Sequence, residues 1–210
     1  MSKHFNSSTL ILLSGGKSSR MKEPKGLLKY HNSFWILSQI ERFTGTEVVI
    51  GLGFDANMYF EAIPWLEEAM LNSYVYKKKK VRAILNQNPE LGAFSTLQSA
   101  LKVLDTKLFN TIFILPIDVP LINNQEQRKL LFTENQIVIP SFQNKKGHPV
   151  KLSSTFWKPL LELNPKDESA RLDLQIKKRN ASEISIVEIS DASCILNLNT
   201  PKDWQAFTSD

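Results

Sequence analysis

The amino-acid sequence predicts a three-layer α/β sandwich, a mainly parallel sheet covered by helices on both faces. Short β-branched apolar runs alternate along the chain with longer stretches of helical spacing. Two of the runs, LILL within residues 9–14 and IFIL within 111–116, are apolar at every position, as central strands covered on both sides must be. Neither an internal repeat nor a low-complexity linker interrupts the 210 residues, so 1–210 is expected to be a single domain with a substantial core.

Taken in order, the strand signals are TLILLS (9–14), EVVIGL (47–52), VRAIL (81–85), TIFILP (111–116), QIVIPS (136–141), PVKL (149–152) and ISIVEI (184–189). Helical spacing covers 33–43, 57–72, 93–105, 124–133, 153–162, 168–178 and 201–207. The last of these has a built-in start: Thr200 is suited to N-cap, Pro201 to the first helical position, and Asp203 to the first turn beside the positive end of the dipole.

The apolar content of 42% and charged content of 22% are those of a globular protein. No apolar run reaches the roughly 20 residues needed to cross a bilayer. The polar start MSKHFNSS lacks the apolar stretch of a secretory signal, so the cytoplasm is the expected location and no membrane partner is expected. The single cysteine, Cys194, supplies neither a disulfide nor a thiolate zinc cluster and reads as a buried apolar side chain. A net charge of +5 invites a nucleic-acid reading, but much of the excess sits in YKKKKVR and IKKRN. Neither run is interleaved with stacking aromatics, and both read as solvated loops rather than a nucleic-acid surface.

In an open sheet of this kind ligands bind beyond the carboxyl ends of the strands, near the point where the strand order reverses. The first such place is LILLSGGKSSRMKEPKGLL (10–28), where Leu13 and Ser14 close a strand and Gly15 and Gly16 follow at once. Glycine admits positive φ and close approach to its amide, so successive N–H groups can converge on an anion. Ser18 and Ser19 add hydroxyls, and Arg20 and Lys25 add charges that do not titrate near neutrality. The segment reads either as a phosphate cradle or as a glycine turn into a solvated loop. It lacks the upstream glycine of a P-loop and the third glycine of a dinucleotide fingerprint.

The second place is PIDVPLI, where Asp118 ends an intensely apolar run between Pro116 and Pro120. A carboxylate there is costly to desolvate unless it is paired, acts as a cap or binds a cation such as Mg²⁺. In NQNPELGAFSTLQSAL, Gly92 is expected to open a helix with Ser95 in its first turn, where free amides favour a polar ligand edge, and Asn86 precedes it. His148 in GHPV stands near Lys145 and Lys146, Asn197 lies before the last helix, and His4 and His31 have no supporting context.

These stretches, spread from residue 10 to about 204, resemble the MobA-like nucleotidyltransferases in content and order: LSGGKSSRM…PKGLL, the Asp-x-Pro of PIDVPLI, GAFSTL, GHPV and NLNTPKD. The resemblance implies a Rossmann-like sheet of the nucleotide-diphospho-sugar transferase type. It implies that Leu13, Ser14, Gly15, Gly16, Ser18, Arg20 and Lys25 receive an NTP triphosphate, with Asn86, Gly92 and Ser95 beside the nucleotide. Asp118 would hold Mg²⁺, Asn197 would complete the metal or phosphate site, and His148 would meet the acceptor. Arg171 would reach the acceptor phosphate or belong to an amphipathic surface helix, and Lys22 stands where the family usually has glycine.

The implied reaction transfers a nucleotidyl group from an NTP, GTP in preference to CTP, to a phosphorylated acceptor such as molybdopterin, with release of pyrophosphate. The catalytic groups would be Arg20, Lys25 and Asp118. No protein nucleophile is needed. The alternatives are a sugar-phosphate nucleotidyltransferase and a non-catalytic nucleotide-binding regulator or cofactor chaperone.

Overall fold

A computed structural model describes residues 8–104 and 111–209. The helix expected over 93–105 therefore has its last residue, and His4 its whole setting, outside the described residues. In chain order the elements are β1 (Ser8–Ser14), β2 (Lys29–Tyr30), β3 (Ser33–Phe34), α1 (Trp35–Arg42), β4 (Glu47–Leu52), α2 (Ala56–Ala62), α3 (Trp65–Leu71), β5 (Tyr74–Tyr76), β6 (Lys79–Leu85) and α4 (Ala93–Leu101). There follow β7 (Thr111–Pro116), α5 (Asn124–Phe132), β8 (Ile137–Phe142), β9 (Lys145–Lys146), β10 (Val150–Leu152), α6 (Ser154–Trp157), α7 (Leu172–Lys177), β11 (Ile184–Glu188) and α8 (Pro201–Ser209).

The main sheet runs β11-β8-β10-β7-β1-β4-β6-β5, with β9 beside β8. Pairing is parallel from β7 through β1 and β4 to β6, and again between β8 and β11, while β10, β5 and β9 are antiparallel to their neighbours. From β1 the chain steps outward through β4 and β6, then returns to lay β7 on the other side of β1. The strand order reverses there, and Leu13 is level with Gly51 on one side and Pro116 on the other. A crevice must open above this point, because the two connections leave in opposite directions.

The continuous apolar runs divide cleanly between two cores. Leu10, Leu12, Phe113 and Leu115 face a core shared with Trp35 and Ile40 of α1, Tyr59 of α2 and Leu130 of α5. Ile11, Ile112 and Ile114 face a second core with Leu97 and Leu101 of α4 and Phe156 and Trp157 of α6. Burial on both faces is thus the reason that these strands show no alternation. Cys194 is buried. Among the described residues no helix is long and apolar enough to cross a membrane.

Several expectations are corrected. The helix expected over 57–72 is two helices, because Pro64 lacks an N–H and pushes Ile63 out of the helical region, to φ −139° and ψ 75°. The helix expected over 153–162 turns into a 3-10 helix at Lys158–Glu162, which contains Pro159, and that expected over 168–178 starts only at Leu172. The run YKKKKVR is a hairpin rather than a loop, with Lys77 and Lys78 at φ 43° and 67° in its turn and Lys79 and Lys80 inside β6.

Lys79 is not solvated either. Its Nζ donates to the carbonyls of Phe43 and Gly45 (2.5 and 2.6 Å), just past the end of α1, and burial lowers its pKa. Lys151 of β10 likewise donates to Leu131 and Thr133 at the end of α5. Two strand lysines therefore satisfy carbonyls at, or just beyond, the C-terminal end of a helix.

Candidate functional site

The loop that leaves β1 is pinned from below. Ser14 Oγ lies 2.6 Å from the Tyr59 hydroxyl, which also accepts a bond from Gly26 N at 3.1 Å. Burial pushes the Tyr59 pKa up to about 12, so the group stays a neutral hydroxyl. One phenol thus ties the start of the loop to its return. Gly15 is required by close packing, since a Cβ there would come within 2.6 Å of Thr96 Oγ1. Gly16 instead faces open space. Ser18, at φ 50°, accepts a bond from Lys25 N at 3.1 Å, which closes the loop on itself. Lys22 sits at φ 64°, a region that glycine occupies freely and a side chain only at a cost.

Asp118 is positioned from the other side. Ile117 N donates to Leu13 O (3.0 Å), which extends the β1–β7 pairing by one residue. Trp35 Nε1 and Gln39 Nε2 of α1 donate to the carbonyls of Ile117 and Val119, each at 2.7 Å. The backbone on both sides of the aspartate is therefore clamped by buried side chains, in addition to the flanking prolines.

These two supports bring Lys25 and Asp118 together, with Nζ to Oδ2 at 3.1 Å. Lys25 also donates to Asn199 Oδ1 at 2.8 Å, and Arg20 Nη2 donates to the same oxygen at 3.2 Å. Asn199 is held by the turn before α8. Asp203 accepts from Asn199 N, Thr200 N and Thr200 Oγ1 at 3.1, 2.8 and 2.8 Å, and Leu198 N donates to Asp118 O at 2.8 Å. Thr200 Oγ1 and the Thr200 backbone hold the Asp203 carboxyl below its ordinary pKa.

The structure thus brings Arg20, Lys25 and Asp118 together, as the sequence suggests, but with Asn199 as their amide. Asn197 is exposed and donates to Ile195 O at 3.3 Å, away from the cluster. Asn86 and Ser95 are also redirected. Both are buried, and Asn86 Nδ2 donates to Ser95 Oγ (2.8 Å) and Thr96 Oγ1 (3.0 Å) while Ser95 Oγ donates to Gly92 O (2.7 Å). They brace the loop ahead of α4 from inside.

Thr96, itself buried, borders the site instead. It lines a cavity of about 290 Å³ together with Gly15, Gly16, Ser18, Lys25, Gly92 and Asp118. The spacing Gly92-x-x-x-Thr96-Leu97 in the sequence is the signal that identifies it. Gly92, at φ 86°, turns the chain into α4.

Within this arrangement Gly16 and Ser18 border the cavity, Lys25 and Asp118 line it as an ion pair, and Arg20 is joined to Lys25 through Asn199 Oδ1. No group of three or more His, Cys, Asp or Glu capable of holding a metal occurs among the described residues. Asp118 and the Asn199 amide are hard oxygen donors that suit Mg²⁺ or Mn²⁺ only when phosphate oxygens and water complete the shell.

A family model described as the MobA-like NTP transferase domain matches residues 10–180. The chain belongs to this family. Several solved structures share its fold. A nucleotidyl transferase from Methanothermobacter thermautotroptrophicus is 16% identical at a TM-score of 0.73, with 97% of each chain covered. Rv0371c from Mycobacterium tuberculosis H37Rv is 18% identical at 0.72, with 98% of each covered. The molybdopterin-guanine dinucleotide biosynthesis protein A from Archaeoglobus fulgidus is 13% identical at 0.65, with 96% of this chain and 97% of that one covered. A search of curated protein sequences found no match.

In this MobA-like domain a second, wider cleft of about 720 Å³ continues from the first, and Leu13, Gly92, Ala93 and Pro116 border both. His148 lies in it. Burial lowers its pKa, against the opposing effects of the Ile114 carbonyl and the Asp118 charge, and its Nδ1 is buried with no hydrogen-bond partner among the described residues. Arg171 lies at the edge of the same cleft and pairs with Asp173 at 3.1 Å.

Proposed function

We propose that the chain transfers a nucleotidyl group from an NTP to the phosphate of a phosphorylated acceptor. The observation that carries the reading is the cluster of Lys25, Asp118, Asn199 and Arg20 beyond the ends of β1 and β7, of which Lys25 and Asp118 share a cavity with the open backbone at Gly16. An acceptor phosphate oxygen attacks the α-phosphorus, the bond to the β-phosphate oxygen breaks, and pyrophosphate leaves with the electron pair. The chain contributes alignment and charge relief. Amides at Gly15 and Gly16 with Arg20 receive the leaving phosphates, Lys25 offsets charge at the α-phosphate, and Asp118 with Asn199 provides oxygens for a divalent ion. Such an ion would supply Lewis-acid relief of the charge on phosphate oxygens.

Mg²⁺ is the proposed ion. A structure of Rv0371c in complex with manganese, 17% identical to this chain with a TM-score of 0.68, supports divalent-metal dependence in the fold. GTP, with CTP as competitor, is the proposed nucleotide; molybdopterin and sugar phosphates are the acceptors that family membership suggests, and the lining of the wider cleft decides between these and other phosphomonoesters. This reading rests on the family and on the relative whose name records molybdopterin-guanine dinucleotide biosynthesis. A cytoplasmic location belongs to the same proposal. Lys22 holds the loop's left-handed turn in spite of its side chain, so the turn does not require glycine at that position.

The test is thermal stability across the four NTPs with and without Mg²⁺. A nucleotide present at about 100 times its Kd stabilises the folded state by about 2.7 kcal/mol, which in a chain of this size is a rise in Tm of roughly 5–11 °C. Asp118→Asn is expected to abolish the Mg²⁺-dependent part of that rise. An unchanged metal response would remove Asp118 from the site.

A further inference from the structure

The wider cleft limits what the acceptor is made of. Its walls are apolar: Leu13, Phe94, Leu97, Ile114, Ile139 and Val150 all face it. Among the described residues that line it, His148 is the one polar side chain set into those walls, and its Nδ1 is buried without a hydrogen-bond partner. The remaining polar side chains are the mostly exposed Lys146, Arg171, Lys177 and Asp173, which form a rim of three cations against one carboxylate. A dianionic phosphate head complements this rim and the neighbouring Lys25. A body rich in hydroxyls does not complement the walls. Each hydroxyl that gives up water there without finding a partner loses about tenfold in affinity. An apolar body gains from the same walls.

Resting on the reaction proposed above, we infer that the acceptor is a phosphomonoester with an aromatic or otherwise apolar body carrying at most one or two polar groups, one of them received by His148 Nδ1. The cleft is large enough for such a body, since about 720 Å³ lies within the usual range of small-molecule sites, roughly 300–1,000 Å³. It also leads to the right place. The borders shared with the narrower cavity put the phosphate end of the acceptor beside Lys25 and Asp118. The acceptor oxygen then bonds to the α-phosphorus as pyrophosphate departs, and the product is a mixed diphosphate of nucleoside and apolar alcohol. Polyol phosphates, and a pterin edge with several hydrogen-bonding groups, find too few partners in these walls.

The experiment measures pyrophosphate release by the wild-type chain with Mg²⁺ and GTP or CTP. The acceptors are 1-naphthyl phosphate, geranyl monophosphate, erythritol 4-phosphate and molybdopterin, and nucleotide stabilisation is read in parallel. At least one of the two apolar phosphates is expected to exceed erythritol 4-phosphate and molybdopterin by tenfold or more in kcat/KM. Ile176→Glu, at a half-buried position of the cleft, is expected to raise the KM for that acceptor at least tenfold without altering nucleotide stabilisation. Leu172→Gln, at a second half-buried wall position, is expected to act in the same direction should the first variant fold poorly. Normal nucleotide stabilisation with the polyol phosphate or molybdopterin preferred, or with KM unmoved in the folded variants, overturns the inference alone. Absence of any nucleotide stabilisation overturns the underlying reaction as well.

Discussion

Replacing Tyr59 by phenylalanine removes one oxygen and nothing else, because the buried ring keeps its packing within the core. The oxygen serves two buried partners, Ser14 Oγ at 2.6 Å and Gly26 N at 3.1 Å. Gly26 N–H then has no acceptor in an environment closed to water, which costs about 1–3 kcal/mol, and loss of the Ser14 bond adds about 1 kcal/mol. A total of about 2–4 kcal/mol corresponds to a Tm lower by roughly 4–16 °C in a chain of about 200 residues. Calorimetry measures it directly. Tyr76→Phe is the control, because the Tyr76 hydroxyl donates to Glu41 at an exposed site where water replaces the lost partner. A drop of less than about 1 kcal/mol is expected there. Equal Tm changes in the two variants, or a Tyr59→Phe protein within about 1 °C of wild type, would refute the claim that this phenol pins the loop. Nucleotide affinity is expected to fall in Tyr59→Phe alone.

Lys22→Gly relieves a left-handed side chain at an exposed position and, after the added freedom of the unfolded chain is counted, is expected to stabilise by about 0.5–1 kcal/mol in urea unfolding. His148 has its folded pKa depressed below the unfolded value of 6.5, so its contribution is complete above pH 6.5 and is lost as the pH falls toward the folded pKa. Urea midpoints between pH 7.5 and 5 are therefore expected to decline less steeply in His148→Gln, and parallel curves would refute this. Lys25→Met is expected to raise Mn²⁺ affinity in the absence of nucleotide severalfold by electron paramagnetic resonance, because the ammonium 3.1 Å from Asp118 Oδ2 otherwise occupies the cation position. Unchanged Mn²⁺ binding would show that the pair does not compete with metal.

The central architecture was readable because its cause is local. Runs such as LILL and IFIL announce burial on both faces, and β4 and β7 occupy the expected residues. The two-residue strands β2, β3 and β9 and the three-residue β5 are too short to show a period. The break at Pro64 was legible in the sequence, since proline forbids the continuation that the apolar spacing suggested. The mistaken reading of Lys79 has another cause. A lysine beside three others looks solvated until its strand is laid against the end of α1.

At the site, Gly15, Gly16, Lys25 and Asp118 were visible as unusual chemistry placed immediately after apolar strands. Composition and local order settled that much, because strand burial, turn formation and the cost of stranding a carboxylate depend on neighbours in sequence. Tertiary structure alone decided which side chains meet. Tyr59 reaches Ser14 across 45 residues, and Asn199 reaches Lys25 across 174. It also turned Asn86 and Ser95 inward, left Asn197 outside and opened an apolar cleft beside the glycine loop that follows β1. Contacts over such separations follow from how strands and helices pack, and no periodicity in the chain encodes them.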